Sequence, residues 1–179
     1  MRAYPFAADL DGDGALDIVC GSEDGKFYFY TGENDANRLK VSDAATLKDS
    51  AGSALSVSGY SSPVLADVDG DGIFDLISGD ENGNILFFAG LGDQTFQSGK
   101  KLLSTPLSGQ ALPELADMNG DGVLDLLVGS NEGRLLLYYG TGDEKGSVQF
   151  QAGDGEELSS ACAELGTWLA PRAVDLRCV

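Results

Sequence analysis

The chain has 179 residues, with 11 Lys plus Arg against 29 Asp plus Glu and a formal charge of −18, a balance that repels a phosphate backbone and excludes nucleic acid as a partner. It contains no histidine, which removes imidazole as a general base, metal ligand and near-neutral proton switch. The 25 glycines and short apolar runs favour turns and short strands, hence an all-β fold, and the longest apolar run, 135–139, falls far short of a membrane span.

The chain opens on Pro5-Phe-Ala-Ala-Asp9, a segment that recurs without gaps as Pro63-Val-Leu-Ala-Asp67, Pro113-Glu-Leu-Ala-Asp117 and Pro171-Arg-Ala-Val-Asp175. Together these segments use four of the five prolines, and their aspartates are 58, 50 and 58 residues apart. An internal period of this length marks a repeat architecture. The boundaries it predicts are 1–58, 59–108 and 109–166 for three units of one repeat domain, with 167–179 as the opening strand of a fourth.

Each full unit repeats one plan. In the first, an apolar stretch enters the acidic loop 9–17, a second stretch carries Cys20 as a buried strand residue, and the turn Glu23-Asp24-Gly25 leads into a third stretch over 26–30. The X-Gly turn tolerates positive φ and predicts a tight hairpin. A weaker fourth strand is expected at 38–41, followed by a long Ser-, Ala- and Gly-rich connection over 42–62. In the second unit the corresponding pieces are 64–66, 67–75, 76–78, the turn 79–83, 84–89 and a fourth strand at 95–97; in the third unit the third and fourth strands fall at 134–139 and 148–151. Consecutive apolar positions in 27–30, 85–88 and 135–139 predict strands buried on both faces. Four antiparallel strands per unit of roughly 50 residues describe a β-propeller blade. The aromatic residues at 27–30, 87–88 and 138–139 are expected to pack between blades. Cys162 and Cys178 form a pair only in an oxidising compartment.

The three acidic loops hold 11 of the 20 aspartates. Side-chain oxygens recur at loop positions one, three, five and nine: Asp9, Asp11, Asp13, Asp17; Asp67, Asp69, Asp71, Asp75; and Asp117, Asn119, Asp121, Asp125. Calcium takes six to eight oxygens, and a chain curling around it needs oxygens on alternate residues, a glycine for the sharp turn at position six, and a backbone carbonyl at position seven, here Ala15, Ile73 and Val123. Carboxylates about 4 Å apart repel by roughly 4 kcal/mol at an effective dielectric near 20, so four together call for a cation or protonation. A solvated Asp-Gly turn needs only one or two such residues. An EF-hand needs a bidentate Glu at position twelve, where this chain has Cys20, Ser78 and Val128. Asn119 lowers the charge of the third loop, which is expected to bind most weakly.

These loops, each followed by an apolar strand and a glycine, resemble the FG-GAP/VCBS repeat family, whose blades carry Asp-x-Asp/Asn-Gly-Asp-Gly-x-x-Asp. The resemblance implies an integrin-α-like propeller, here a partial one of about three four-stranded antiparallel blades, with loops between the first and second strands binding about three Ca²⁺ ions through the residues named above. It implies a non-catalytic, calcium-stabilised binding or scaffold module of the cell-adhesion kind, extracellular or at the cell surface, with a protein or carbohydrate ligand. No secretion signal stands before Asp9, so any such signal lies elsewhere. The alternative is the propeller portion of a secreted polysaccharide lyase or hydrolase, with Glu23, Glu81, Glu132, or Glu156 with Glu157, as candidate carboxylates. Because the chain begins and ends on the same strand of the repeat, it is expected to be part of a larger chain or of an oligomer that completes the propeller.

Overall fold

The computed structural model describes residues 4–35, 38–103, 106–142, 148–151, 153 and 155–158. Among them every regular element is a strand. The first unit contains β1 (Tyr4–Ala8), β2 (Asp17–Gly21), β3 (Phe27–Tyr30), β4 (Gly32–Asp35), β5 (Arg38–Val41), β6 (Ala45–Thr46) and β7 (Lys48–Asp49). The second contains β8 (Ser62–Ala66), β9 (Asp75–Gly79), β10 (Ile85–Phe88), β11 (Gly90–Gly92), β12 (Thr95–Phe96) and β13 (Lys100–Lys101). The third contains β14 (Ala111–Ala116), β15 (Asp125–Ser130), β16 (Leu135–Tyr138) and β17 (Glu156–Glu157).

Three antiparallel four-stranded sheets result, ordered β1-β2-β3-β6, β8-β9-β10-β13 and β14-β15-β16-β17. The motif proline holds the same register in each: Pro5 faces Cys20, Pro63 faces Ser78 and Pro113 faces Val128. No closed ring of sheets is seen among the described residues. Cys20 lies on β2 as expected but is half-buried and free; Cys162 and Cys178, like Pro171 to Asp175, lie outside the described residues.

The outer strands differ from expectation. Residues 38–41 form β5, which pairs with β4 in a hairpin beside the first sheet, and Thr95–Phe96 pairs with β11 in the equivalent hairpin of the second unit. In the third unit residues 148–151 supply only an isolated bridge, Gly140 to Phe150. The three insertions are homologous, each closed by one backbone bond: Ser42 N–H to Thr31 C=O, Gln97 N–H to Ala89 C=O and Gln151 N–H to Tyr139 C=O. The true fourth strands, Ala45–Thr46, Lys100–Lys101 and Glu156–Glu157, have two residues each and are mostly exposed. Strands this short carry no alternating apolar pattern, so composition favoured the longer hairpin arms.

Sheet faces alternate between two cores. Val19, Phe27 and Phe29 of the first sheet pack on Leu65, Leu76 and Phe88 of the second, where the Phe27 and Phe88 rings meet edge to face at 5.8 Å. The opposite face of the second sheet, with Ile77, Ile85 and Phe87, meets Leu126, Val128, Leu136 and Tyr138 of the third. Each such buried Leu, Ile or Phe side chain contributes about 1.5–3 kcal/mol over its exposed state. The aromatic runs thus feed the inter-sheet cores. Double-faced burial holds for the second and third sheets but not for the first: Tyr28 and Tyr30 are half-exposed, and Pro5 is exposed where its counterpart Pro63 is buried.

Successive units are joined by backbone. Ser61 N–H donates to Ser22 C=O and, one unit later, Ala111 N–H to Asp80 C=O, while just before each joint Val57 N–H donates to Gly25 C=O and Leu107 N–H to Gly83 C=O within their own units. Strand β7 also pairs in parallel with β12, so the Ser-rich connection reaches across to the second unit's hairpin.

Candidate metal centres

Each acidic loop joins the first and second strands of its sheet and is wound by its own aspartates. Position one is the hub: Asp9 accepts the N–H groups of Gly12 (2.8 Å) and Gly14 (3.0 Å), Asp67 those of Gly70 (2.8 Å) and Gly72 (3.0 Å), and Asp117 those of Gly120 (2.7 Å) and Gly122 (3.0 Å). Positions three and five close short turns of their own, Asp11 on Asp13 N–H and Asp13 on Ala15 N–H, with the same pairs in the second loop. The bonds turn the chain in on itself, so that the carboxylates converge.

In the first loop one oxygen each from Asp9, Asp11 and Asp17 lies within 4.8 Å of the others, and in the second loop the same holds for Asp67, Asp69 and Asp71. Asp13 and Asp75 stand outside these groups. All donors are oxygen, the set that suits a hard divalent cation such as calcium. Among the described residues no ion pair reaches either loop; the pairs present are Lys26 with Asp24, Lys40 with Glu33 and Arg134 with Glu157. In the third loop the Asn119 side-chain amide donates to Asp121 Oδ2 at 2.9 Å, while its carbonyl oxygen accepts Asp121 N–H at 2.8 Å. The amide there occupies a position-five oxygen, a bond that the aspartates at position three of the other loops cannot donate. The position-seven residues sit at the loop exit, Ala15 buried and Ile73 and Val123 half-buried.

Position nine ties the loop to its sheet. Asp17, Asp75 and Asp125 are 0%, 1% and 0% exposed, so each needs internal partners. One oxygen accepts the N–H of the second loop residue: Leu10 at 2.9 Å, Val68 at 3.0 Å and Met118 at 2.8 Å. The other reaches a glycine just past the third strand: Gly32 at 2.8 Å, and Gly90 and Gly140 at 2.9 Å. Only glycine fits there, because a Cβ would lie 2.1 Å from Leu16 O, 2.3 Å from Phe74 O and 2.4 Å from Leu124 O respectively. Burial pushes the Asp75 carboxyl above its usual pKa, opposed by the bonds from Gly90 and Val68 and reinforced by the neighbouring Asp69. Sequence reasoning treated these aspartates as ligands alone. The available signal was a glycine fifteen residues after each one, repeated three times.

Asp75→Ala leaves the Gly90 and Val68 amides without their acceptor. Each buried orphan costs about 1–3 kcal/mol, partly offset because a buried carboxylate is also removed, so a net loss of about 3 kcal/mol is expected. Urea unfolding in EDTA measures it free of any metal effect; an unchanged midpoint would refute the latch.

Among the described residues no group of three carboxylates outside the loops converges. Glu23, Glu81 and Glu132 are exposed in hairpin turns. Glu156 accepts the Tyr139 hydroxyl at 3.0 Å, and Glu157 pairs with Arg134 at 3.3 Å.

Repeated antiparallel sheets, each headed by an acidic loop, with the carboxylate oxygens of the first two loops convergent, define an all-β repeat protein of the acidic-loop class. The sequence profile of the FG-GAP-like repeat matches residues 9–78 and again 67–128, each match running from one acidic loop through the next. The chain belongs to that family. No curated protein matched it.

Proposed function

We propose that the chain is a calcium-stabilised binding or scaffold module whose units, 1–58, 59–108 and 109–166, are propeller blades. The observation that carries this reading is the pair of all-oxygen clusters in the first two loops, to which no ion pair is made among the described residues. Calcium would be held by Asp9, Asp11, Asp13, Asp17 and the Ala15 carbonyl; by Asp67, Asp69, Asp71, Asp75 and the Ile73 carbonyl; and by Asp117, Asn119, Asp121, Asp125 and the Val123 carbonyl. The ion would cancel repulsion between carboxylates and tie the first strand of each sheet to the second. Its role is structural. An extracellular setting, where calcium is near millimolar, suits sites of modest affinity. Among the described residues no helix is long and apolar enough to cross a membrane.

Calcium titration followed by calorimetry tests the reading. Two ions are expected to bind alike, with a third about tenfold weaker, because the third loop has one carboxylate fewer and the difference is worth about 1.4 kcal/mol. Asn119→Asp is expected to bring the third site level with the others. Absence of binding at millimolar calcium would sink the proposal, and an unchanged third site in Asn119→Asp would sink its electrostatic basis.

A further inference from the structure

The six large hydrophobic side chains exposed among the described residues are Leu16, Leu39, Val41, Phe74, Leu91 and Met118. All six lie in an acidic loop or in the hairpin beside it. Leu16, Phe74 and Met118 are loop residues; Leu39 and Val41 are on β5, whose hairpin bonds to the first loop through the Asn34 amide and the Gly14 carbonyl at 3.1 Å; Leu91 is on β11. Scattered exposed leucines need no explanation, but six confined to one edge form an interaction surface.

Within this edge lies a cleft of about 580 Å³ between the first two units, a size that accepts a ligand or a partner side chain. Leu10, Ile73 and Phe74 line it, and Asp9, Asp11 and Asp93 face it. Its far wall is the β11–β12 turn, where Asp93 and Gln94 have φ of 50° and 59°. Two successive non-glycine residues in the left-handed region make the tight two-residue reversal of this hairpin. The shortness of the turn leaves the cleft open. Among the described residues no basic side chain lines it.

The geometry points to this edge as a docking surface for an extended protein segment that presents alternating apolar and basic side chains, the apolar ones seated on Leu10 and Phe74 and a basic one at Asp93. Charge complementarity selects that partner. Even with a divalent ion seated, a loop of four aspartates keeps a net negative charge, so the edge attracts cations whether or not calcium is bound. The proposal rests on the chain being a binding module and not on its calcium sites.

A short fluorescein-labelled peptide alternating Leu and Lys serves as the probe, with a Leu and Glu twin, read by anisotropy at about 0.15 M salt, where distant charges are screened. The Leu and Lys peptide is expected to bind and its twin not. Phe74→Ser is expected to weaken binding about tenfold and Asp93→Asn, which keeps a residue tolerant of the left-handed turn, about threefold. Glu81→Lys, in the turn at the opposite end of β9, should leave it unchanged. No binding, equal binding of the twin, or equal weakening by Glu81→Lys would overturn the proposal, the last two by exposing mere stickiness or bulk charge. Thermal melts of each variant separate lost docking from lost fold. Repeating the titration with about 1 mM calcium or EDTA separates the two readings: binding that persists while calcium neither binds nor stabilises leaves docking standing and removes the calcium sites, and the converse removes docking alone.

Discussion

Chelation of calcium is expected to lower the melting temperature by more than about 10 °C. A ligand that binds only the folded state at a hundredfold excess over its Kd stabilises by about 2.7 kcal/mol per site, so two full sites supply about 5 kcal/mol, and each kcal/mol is worth about 2–4 °C in a domain of this size. The origin is local. In the first loop Asp9, Asp11 and Asp17 bring oxygens within 4.8 Å of one another, and without a cation that closeness is repulsive. Differential scanning calorimetry with and without EDTA measures the shift. A melting temperature indifferent to EDTA would mean that the loops are held by their own amide bonds alone.

Gly79→Val is expected to be severely destabilising, at more than about 4 kcal/mol. A Cβ at Gly79 would stand 2.0 Å from the Ala111 carbonyl oxygen and 2.6 Å from its carbon. Both are backbone atoms of the next sheet and cannot rotate aside. The clash would push apart the sheets that enclose Ile77, Ile85 and Leu126, each 0% exposed. Gly52→Ala offers the contrast: its φ is +83° but nothing lies within 4 Å of an added Cβ, so only left-handed strain of about 1–2 kcal/mol applies. Equilibrium unfolding of both variants checks the difference. Equal losses would show that conformation, not the close approach of sheets, sets the requirement at position 79.

Much of this architecture is legible in the chain because the repeat reports the same event several times. The proline-to-aspartate segments mark β1, β8 and β14, and the turns ending at Gly25 and Gly83, both at φ 78°, mark the reversals into β3 and β10. Apolar runs mark strands, but not what covers them. Phe27 and Phe29 are buried while Tyr28 and Tyr30, adjacent in the same run, are half-exposed, because among the described residues one face of the first sheet meets another. The outer strands were hidden for a different reason: Lys100–Lys101 and Glu156–Glu157 are recruited by the backbone edges of β10 and β16, and two charged residues in a row carry no strand pattern. In the loops, composition singled out the oxygen-bearing positions. It did not reveal that Asp17, Asp75 and Asp125 also bind the glycines past the third strand, since that bond links positions whose meeting depends on the finished sheet.

The joints between units have a consequence for how such a chain grows. The hydrogen bonds from Ser61 to Ser22 and from Ala111 to Asp80 join main-chain atoms. The bonds that the Ser61 and Ser62 hydroxyls add, with Ser22 N–H and with the Lys26 and Ala111 carbonyls, come from positions that Ala111 and Leu112 fill in the next repeat, so what the two joints share is the backbone bond, a glycine where two backbones nearly touch and apolar residues behind it. Units that differ at most positions remain mutually compatible, and a copy inserted between two others would meet the same chemistry at both borders. Duplication and exchange of whole units therefore cost little in fit, leaving the loop-edge residues free to diverge from one unit to the next.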